Sequence, residues 1–246
     1  MNRKILGICA VSAALAAFAL TPAVSSAAFL MDTVGGVLTT IAKDKKLVGY
    51  NESTSIVKIK LPGIGTVECS EVTLTGPVHA NHDAVGNIYW TIEDAWFRGD
   101  ASETRCTENL KPATVITTDL TNEGGKEHWC FKNPFGTDTA LIEPHNCTGA
   151  GGAFHFTVVT TGMTCVFLLG GNMEGTATTG DVEGKPMTLK FPTQKFGTSK
   201  EGEHSIFCPA AVEIEGLLLE VYTDTAATGP TYRDAASVGD PVFLIK

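Results

Sequence analysis

Apolar and polar residues alternate along most of this chain with a period of two, and helical spacing is nearly absent. STSIVKIKL places Val57, Ile59 and Leu61 on one face, and FHFTVV places Phe154, Phe156 and Val158 on one face with His155 opposite. NIYWTIEDAWF aligns Ile88, Trp90 and Ile92, and the Ala95-Trp96-Phe97 that follows predicts a bulge. VEIEGLLLEVY alternates up to Gly216 and then changes phase, as a second bulge would cause. TCVFLLGG is apolar on both faces and reads as a central strand, and PVFLIK supplies a last apolar segment. KNPFGTD, PHNCTGAGG and KFGTSKEGEH carry the Gly, Pro, Asn and Asp that turns require.

These elements predict an all-β fold: a disulfide-stapled antiparallel β-sandwich, jelly-roll-like, of about eight to twelve strands. DTVGGVLTTIAKDK is the one segment where a helix is expected, against the disfavour of Gly35-Gly36. Residues 29–246 are expected to form a single all-β domain, with a candidate subdivision at TNEGGK, residues 121–126.

The N-terminus shifts the compartment outward. Arg3 and Lys4, the apolar ILGICAVSAALAAFAL and the small residues of TPAVSSAA predict a signal peptide over residues 1–28, cleaved after Ala28. The apolar run is short for a membrane span, and Cys9 lies too early within it, behind bulky Ile8, for a lipid anchor. The leader holds two of the 18 basic residues and none of the 27 acidic ones, so the processed chain is more acidic than the whole-chain charge of −9. Nucleic acid and anionic membranes are therefore not expected as partners. Lys43, Lys45 and Lys46 form the single basic cluster. An extracellular or cell-surface ligand, or self-association, fits better.

Of the seven cysteines, six remain beyond Cys9, and an even number in an exported chain predicts disulfides. No close Cys-x-x-Cys pair suggests zinc. Cys69, Cys165 and Cys208 each open an apolar alternating strand that ends at Gly, and strands of like pattern near the two ends of the core suit neighbouring positions in one sheet. On that ground Cys69 is expected to meet Cys208, with Cys130 closing on Cys147 and Cys106 meeting Cys165. The stretches GIGTVECSEVTLTGPV (residues 63–78) and HSIFCPAAVEIEGLLLEVY (residues 204–222) resemble a broad group of exported, Thr- and Cys-containing β proteins of actinobacteria. That resemblance implies export and an all-β fold and carries no active site.

Candidate chemistry is sparse. His79, His82 and Asp83 have a spacing that can chelate a metal, but they follow Gly76-Pro77 and precede Val85-Gly86-Asn87, which favours an exposed turn. Glu93 and Asp94 sit beside Trp90 and Trp96, the materials of a glycosidase. Adjacent strand residues point to opposite faces, however, so these two cannot flank one bond. Glu103, Glu143, Asp181 and Glu183 could partner either acid, and nothing selects among them. No Gly-x-Ser-x-Gly nucleophile, phosphate-cradling glycine loop or calcium-loop pattern occurs, and no cofactor is expected. Arg98-Gly99-Asp100, Asn51-Glu-Ser and Asn146-Cys-Thr spell short motifs only. Trp90, Trp96, Trp129, Phe131 and Phe135 could stack on a ligand, with core filling the favoured role. The expected function is a secreted or cell-surface, non-catalytic protein with a structural or binding role. The alternatives are a filament subunit assembled by strand addition through AFLMDTVGGVLTTI or PVFLIK, and a secreted carbohydrate-active hydrolase.

Overall fold

The computed structural model describes residues 28–34, 36–51, 55–98, 106–108, 111–119, 128–145, 147–149, 154–160, 163–169, 171–180, 185–200, 208–225 and 238–245. The expected leader up to residue 27, residues 121–126, Glu103, Asp181 and Glu183, Gly99-Asp100, Asn146, and the side chains of Phe154, His155 and Phe156 lie outside that set. All described elements are strands, and their pairings are antiparallel.

The two-residue alternation sets which side chains go inward. In β4 (Val57–Leu61), Val57, Ile59 and Leu61 are buried and the two lysines between them are not. β7 (Ile88–Ile92) buries Ile88, Trp90 and Ile92; β8 (Asp94–Arg98) then buries Ala95 and Phe97, one residue out of phase. Both halves pair with the same strand, β6 (Glu71–Asn81), and the Glu93 N–H between them donates to the Thr75 carbonyl at 2.8 Å. The expected bulge is there. Gly216 is the second phase change, between β18 (Ala211–Glu215) and β19 (Leu217–Asp224). It takes φ +77°, and a Cβ there would stand 2.5 Å from the Ile56 carbonyl oxygen.

The strands close into rings. One ring joins β4, β5 (Gly65–Cys69), β9 (Cys106–Glu108), β10 (Lys111–Asp119), β13 (Phe154–Thr160), β14 (Met163–Leu169), β17 (Gln194–Lys200) and β18. The other joins β3 (Lys46–Tyr50), β6, β7, β11 (Trp129–Asn133), β12 (Thr139–Glu143), β15 (Met173–Thr178), β16 (Thr188–Phe191) and β19, and the β16–β19 pairing completes it. The chain feeds the two rings alternately. Ser70 alone separates β5 from β6, Gly216 alone separates β18 from β19, and Pro192-Thr193 separate β16 from β17. The molecule is therefore an up-and-down meander of eight long runs, each interrupted partway. Its last run pairs with its first through β18–β4 and β19–β3.

This corrects the expected sandwich. In a sandwich or jelly-roll the two sheets keep edges, whereas here the first and last runs pair and remove them. The ring interiors are apolar: Ile59, Val67, Phe167, Phe196 and Ile214 in one, Leu47, Trp90, Phe131, Leu189 and Leu219 in the other, all buried. Eight strands leave just enough interior for side chains to fill. Outside, Lys195 pairs with Glu213, Lys60 with Glu215 and Lys58 with Glu68 across β17, β18, β4 and β5. That is the reverse of a lipid-facing barrel, which turns its apolar band outward. No helix among the described residues is long and apolar enough to cross a membrane.

A small sheet, β2-β1-β21, packs on the second ring. It consists of β1 (Phe29–Val34), β2 (Val37–Thr40) and the chain-terminal β21 (Phe243–Ile245), reached from β20 (Val238–Pro241), which pairs with β19. The helix expected within residues 32–45 is thus a β-hairpin. Val34 faces Val37 in the ladder, and Gly36 has φ +82°, the conformation that tight hairpin turns need. Leu30 and Leu244 lie opposite each other and are buried against the ring.

Three disulfides staple the fold: Cys69–Cys106, Cys130–Cys147 and Cys165–Cys208. Cys130 does close on Cys147. The expected Cys69–Cys208 and Cys106–Cys165 pairs are corrected, because spatial neighbours follow the ring order and not the likeness of strand patterns. β5 lies beside β9 with Glu68 opposite Thr107, which sets Cys69 facing Cys106 with Cα atoms 4.6 Å apart.

Candidate functional site

His79, His82 and Asp83 are divided between a strand and its turn. His79 is half-buried in β6, where the chain ends its run at Asn81. Asp83 organises the turn: its Oδ1 accepts from the N–H groups of Val85 (2.9 Å) and Asn87 (2.8 Å), and its Oδ2 from the Asn87 amide (3.2 Å). Burial acts to raise the Asp83 carboxyl, but these donors, together with the Gly86 N–H, outweigh it and hold the group below its ordinary 3.8. His82 takes φ +82° and turns its ring onto Phe29, with centroids 4.8 Å apart, and toward Phe135 at 6.4 Å. The three side chains do not converge on a common point; each is committed to the turn or to an aromatic neighbour, apart from His79.

Glu93 and Asp94 lie on the outer side of the ring. Glu93 reaches Lys46 at 3.9 Å, and Asp94 shares the outward face of β8 with Trp96 and Arg98. Trp90, which was to be their aromatic platform, points inward and donates its indole N–H to the Gly76 carbonyl at 2.8 Å. Glu143 pairs with His145 at 3.3 Å. Trp129 and Phe131 fill the core as expected, while Trp96 and Phe135 are exposed. Asn51 is fully buried, its amide donating to the Ser55 carbonyl and accepting from the Val72 N–H, so its sequon is not open to a glycan in the folded chain.

The features that do gather lie at one end of the molecule. The β6–β7 turn exposes Val85 (70 % accessible) and the β11–β12 turn exposes Phe135, whose N–H donates to the Asn87 side chain at 3.1 Å. The same end carries the terminal sheet, fastened by Asn81, with Val34, Val37 (65 % accessible) and Leu38 exposed on its hairpin. Among the described residues, five of the eight exposed large apolar side chains thus sit at the capped end; Ile56, Trp96 and Leu218 are the others. Exposed Lys43 and Lys45 stand on the turn that follows the hairpin, where the Asp44 N–H donates to the Val78 carbonyl. Sequence reasoning passed over this hairpin, although Val-Gly-Gly-Val followed by uncharged Leu-Thr-Thr was the signal for it.

Among known protein families, curated proteins and solved structures, none matches this chain.

Proposed function

We propose that the chain is a secreted or cell-surface barrel protein, non-catalytic, with a structural or binding role exerted through its capped end. Val34, Val37 and Leu38 on the hairpin, with Val85 and Phe135 on the turns of the same end, carry the reading, because exposed apolar residues concentrated on one part of a surface mark interaction sites. Three disulfides and the leader-like N-terminus support work outside the cytoplasm. A hydrolase has less support, since Glu93 and Asp94 stand on an outer face, with Glu93 turned to Lys46. Strand exchange into a filament also has less, since β1 and β21, the segments it would donate, already pair within one chain.

The test is expression in a bacterial host with the native N-terminus. The reading expects a processed, thiol-free protein outside the cytoplasm that leaves polysaccharides intact. It expects binding to cell envelopes or to itself, weakened by Val37→Asp together with Phe135→Ser. Cytoplasmic retention, or glycan hydrolysis abolished by Glu93→Gln, would overturn it.

A further inference from the structure

We infer that the protein pairs with a second copy of itself through the free edge of β2, forming a continuous six-stranded sheet across a two-fold axis at Thr39. The argument begins with the hydrogen-bond parity of the hairpin. The Ile41 N–H donates to the Leu30 carbonyl at 3.0 Å, and Leu30 and Ile41 follow the register Met31↔Thr40, Asp32↔Thr39, Thr33↔Leu38. In an antiparallel ladder, bonded and non-bonded pairs alternate. Ile41, Thr39 and Val37 therefore turn their backbone groups toward β1, where Asn81 takes up the Ile41 carbonyl, and those of Leu38 and Thr40 point out from the sheet. β2 is exposed at every residue, and no strand among the described residues lies on its outer side.

Edges of this kind are normally blunted by Lys, Pro, a bulge or a covering loop. Val37-Leu38-Thr39-Thr40 contains no Lys, Pro or bulge, and among the described residues nothing covers it. The barrel rings, by contrast, have eliminated their own edges by closure.

A second copy suits this edge specifically. With the axis at Thr39, Leu38 of each chain faces Thr40 of the other, and the two pairs exchange four backbone hydrogen bonds. Thr39 meets its own copy, a favourable cross-strand pair. The segment is uncharged, so two acidic molecules can approach here without like charges meeting in the ladder. The nearest charge, Lys43, falls opposite the partner's Gly35-Gly36 loop and not opposite the partner's lysine. The pairing rests on the reading of the capped end as an interaction surface but needs no export and no other ligand, so it can fail while that reading stands.

The experiment is sedimentation velocity on the purified, oxidised protein from micromolar to near-millimolar concentration, with two variants. Leu38→Lys places a charge on the edge. Thr40→Pro removes an outward N–H while leaving the β1–β2 ladder intact. The expected result is a species of twice the chain mass that reverts to monomer in both variants, with their unfolding midpoints unchanged. Hydrogen exchange should show Leu38 and Thr40 amides protected only in the dimer. A wild-type monomer at every concentration would overturn the proposal. So would a dimer that survives both substitutions, which would place self-association on another face.

Discussion

Asn81 grips both backbone groups of Leu30: its Oδ1 accepts from the Leu30 N–H and its Nδ2 donates to the Leu30 carbonyl, each at 2.8 Å. The same Nδ2 also donates to the Ile41 carbonyl at 2.8 Å. One side chain at the end of β6 thus stands in for a strand neighbour and fastens the terminal sheet to the ring. Without it, Leu30 and Ile41 would keep polar groups in a largely buried place with no replacement. Asn81→Ala should cost about 2 kcal/mol of stability. Denaturant titration checks the magnitude. Hydrogen exchange checks the location: faster exchange should appear in Leu30–Thr40 and Phe243–Ile245 while β4, β7 and β18 keep their protection.

Gly216 lets β18 run into β19 with a change of phase, so that Val212 and Ile214 on one side and Leu217, Leu219 and Val221 on the other all face inward. Alanine there would have to hold φ +77° and push its Cβ against the Ile56 carbonyl. Gly216→Ala should destabilise by about 1–3 kcal/mol. The neighbouring Glu215→Ala, on the outer face, should cost far less. Paired thermal melts of the two variants make the comparison.

How much of this could be read from the chain follows from what alternation encodes. Val57, Ile59 and Leu61, or Ile88, Trp90 and Ile92, declare a strand and its inner face, and both declarations hold. The bulges at Glu93 and Gly216 were legible too, because a phase change shows in the pattern itself. Closure was not: an inward face looks alike whether the sheet opposite belongs to a sandwich or to the far wall of a ring. Only the pairing of the first run with the last, through Lys60↔Glu213 and Glu220↔Tyr50, decides it. The hairpin at Gly35-Gly36 was obscured by the lysines and alanine that follow it. At the capped end, His82 and Asp83 were singled out for their chemistry, while the aromatic residues that His82 touches, Phe29 and Phe135, are far apart in sequence and could be joined only by the fold.

The disulfides differ in the chain they enclose, with separations of 37, 17 and 43 residues. If they act by limiting the unfolded chain, Cys130–Cys147 is worth about 3 kcal/mol and the other two about 4 kcal/mol each. Replacing each pair by alanines should rank accordingly, with the Cys130/Cys147 variant the most stable of the three. Equilibrium unfolding of the three double variants tests the order. A larger loss at Cys130–Cys147 would mean that the bridge holds native geometry around Thr91, whose Oγ1 lies 3.7 Å from the Cys147 sulfur.

The charged outer face makes a prediction in pH. Lys60 donates a 2.6 Å hydrogen bond to Glu215, which holds the Glu215 carboxyl below its ordinary 4.5 and Lys60 above its ordinary 10.5. A carboxyl titrating lower in the folded chain adds stability above its ordinary value, and that stability is lost as pH falls through the folded value. A raised lysine adds stability below its ordinary value, lost as pH rises through its folded value. The pair should therefore help evenly between about pH 5 and pH 10 and fade beyond both ends. The contribution is small because both groups meet water, and molar salt should screen most of it. Glu215→Gln isolates the effect: the wild type should melt slightly above the variant at pH 7 in low salt, and the two should converge below pH 4 or in about 1 M salt. A gap that persists in acid would assign the difference to packing of the Glu215 stem instead of to its charge.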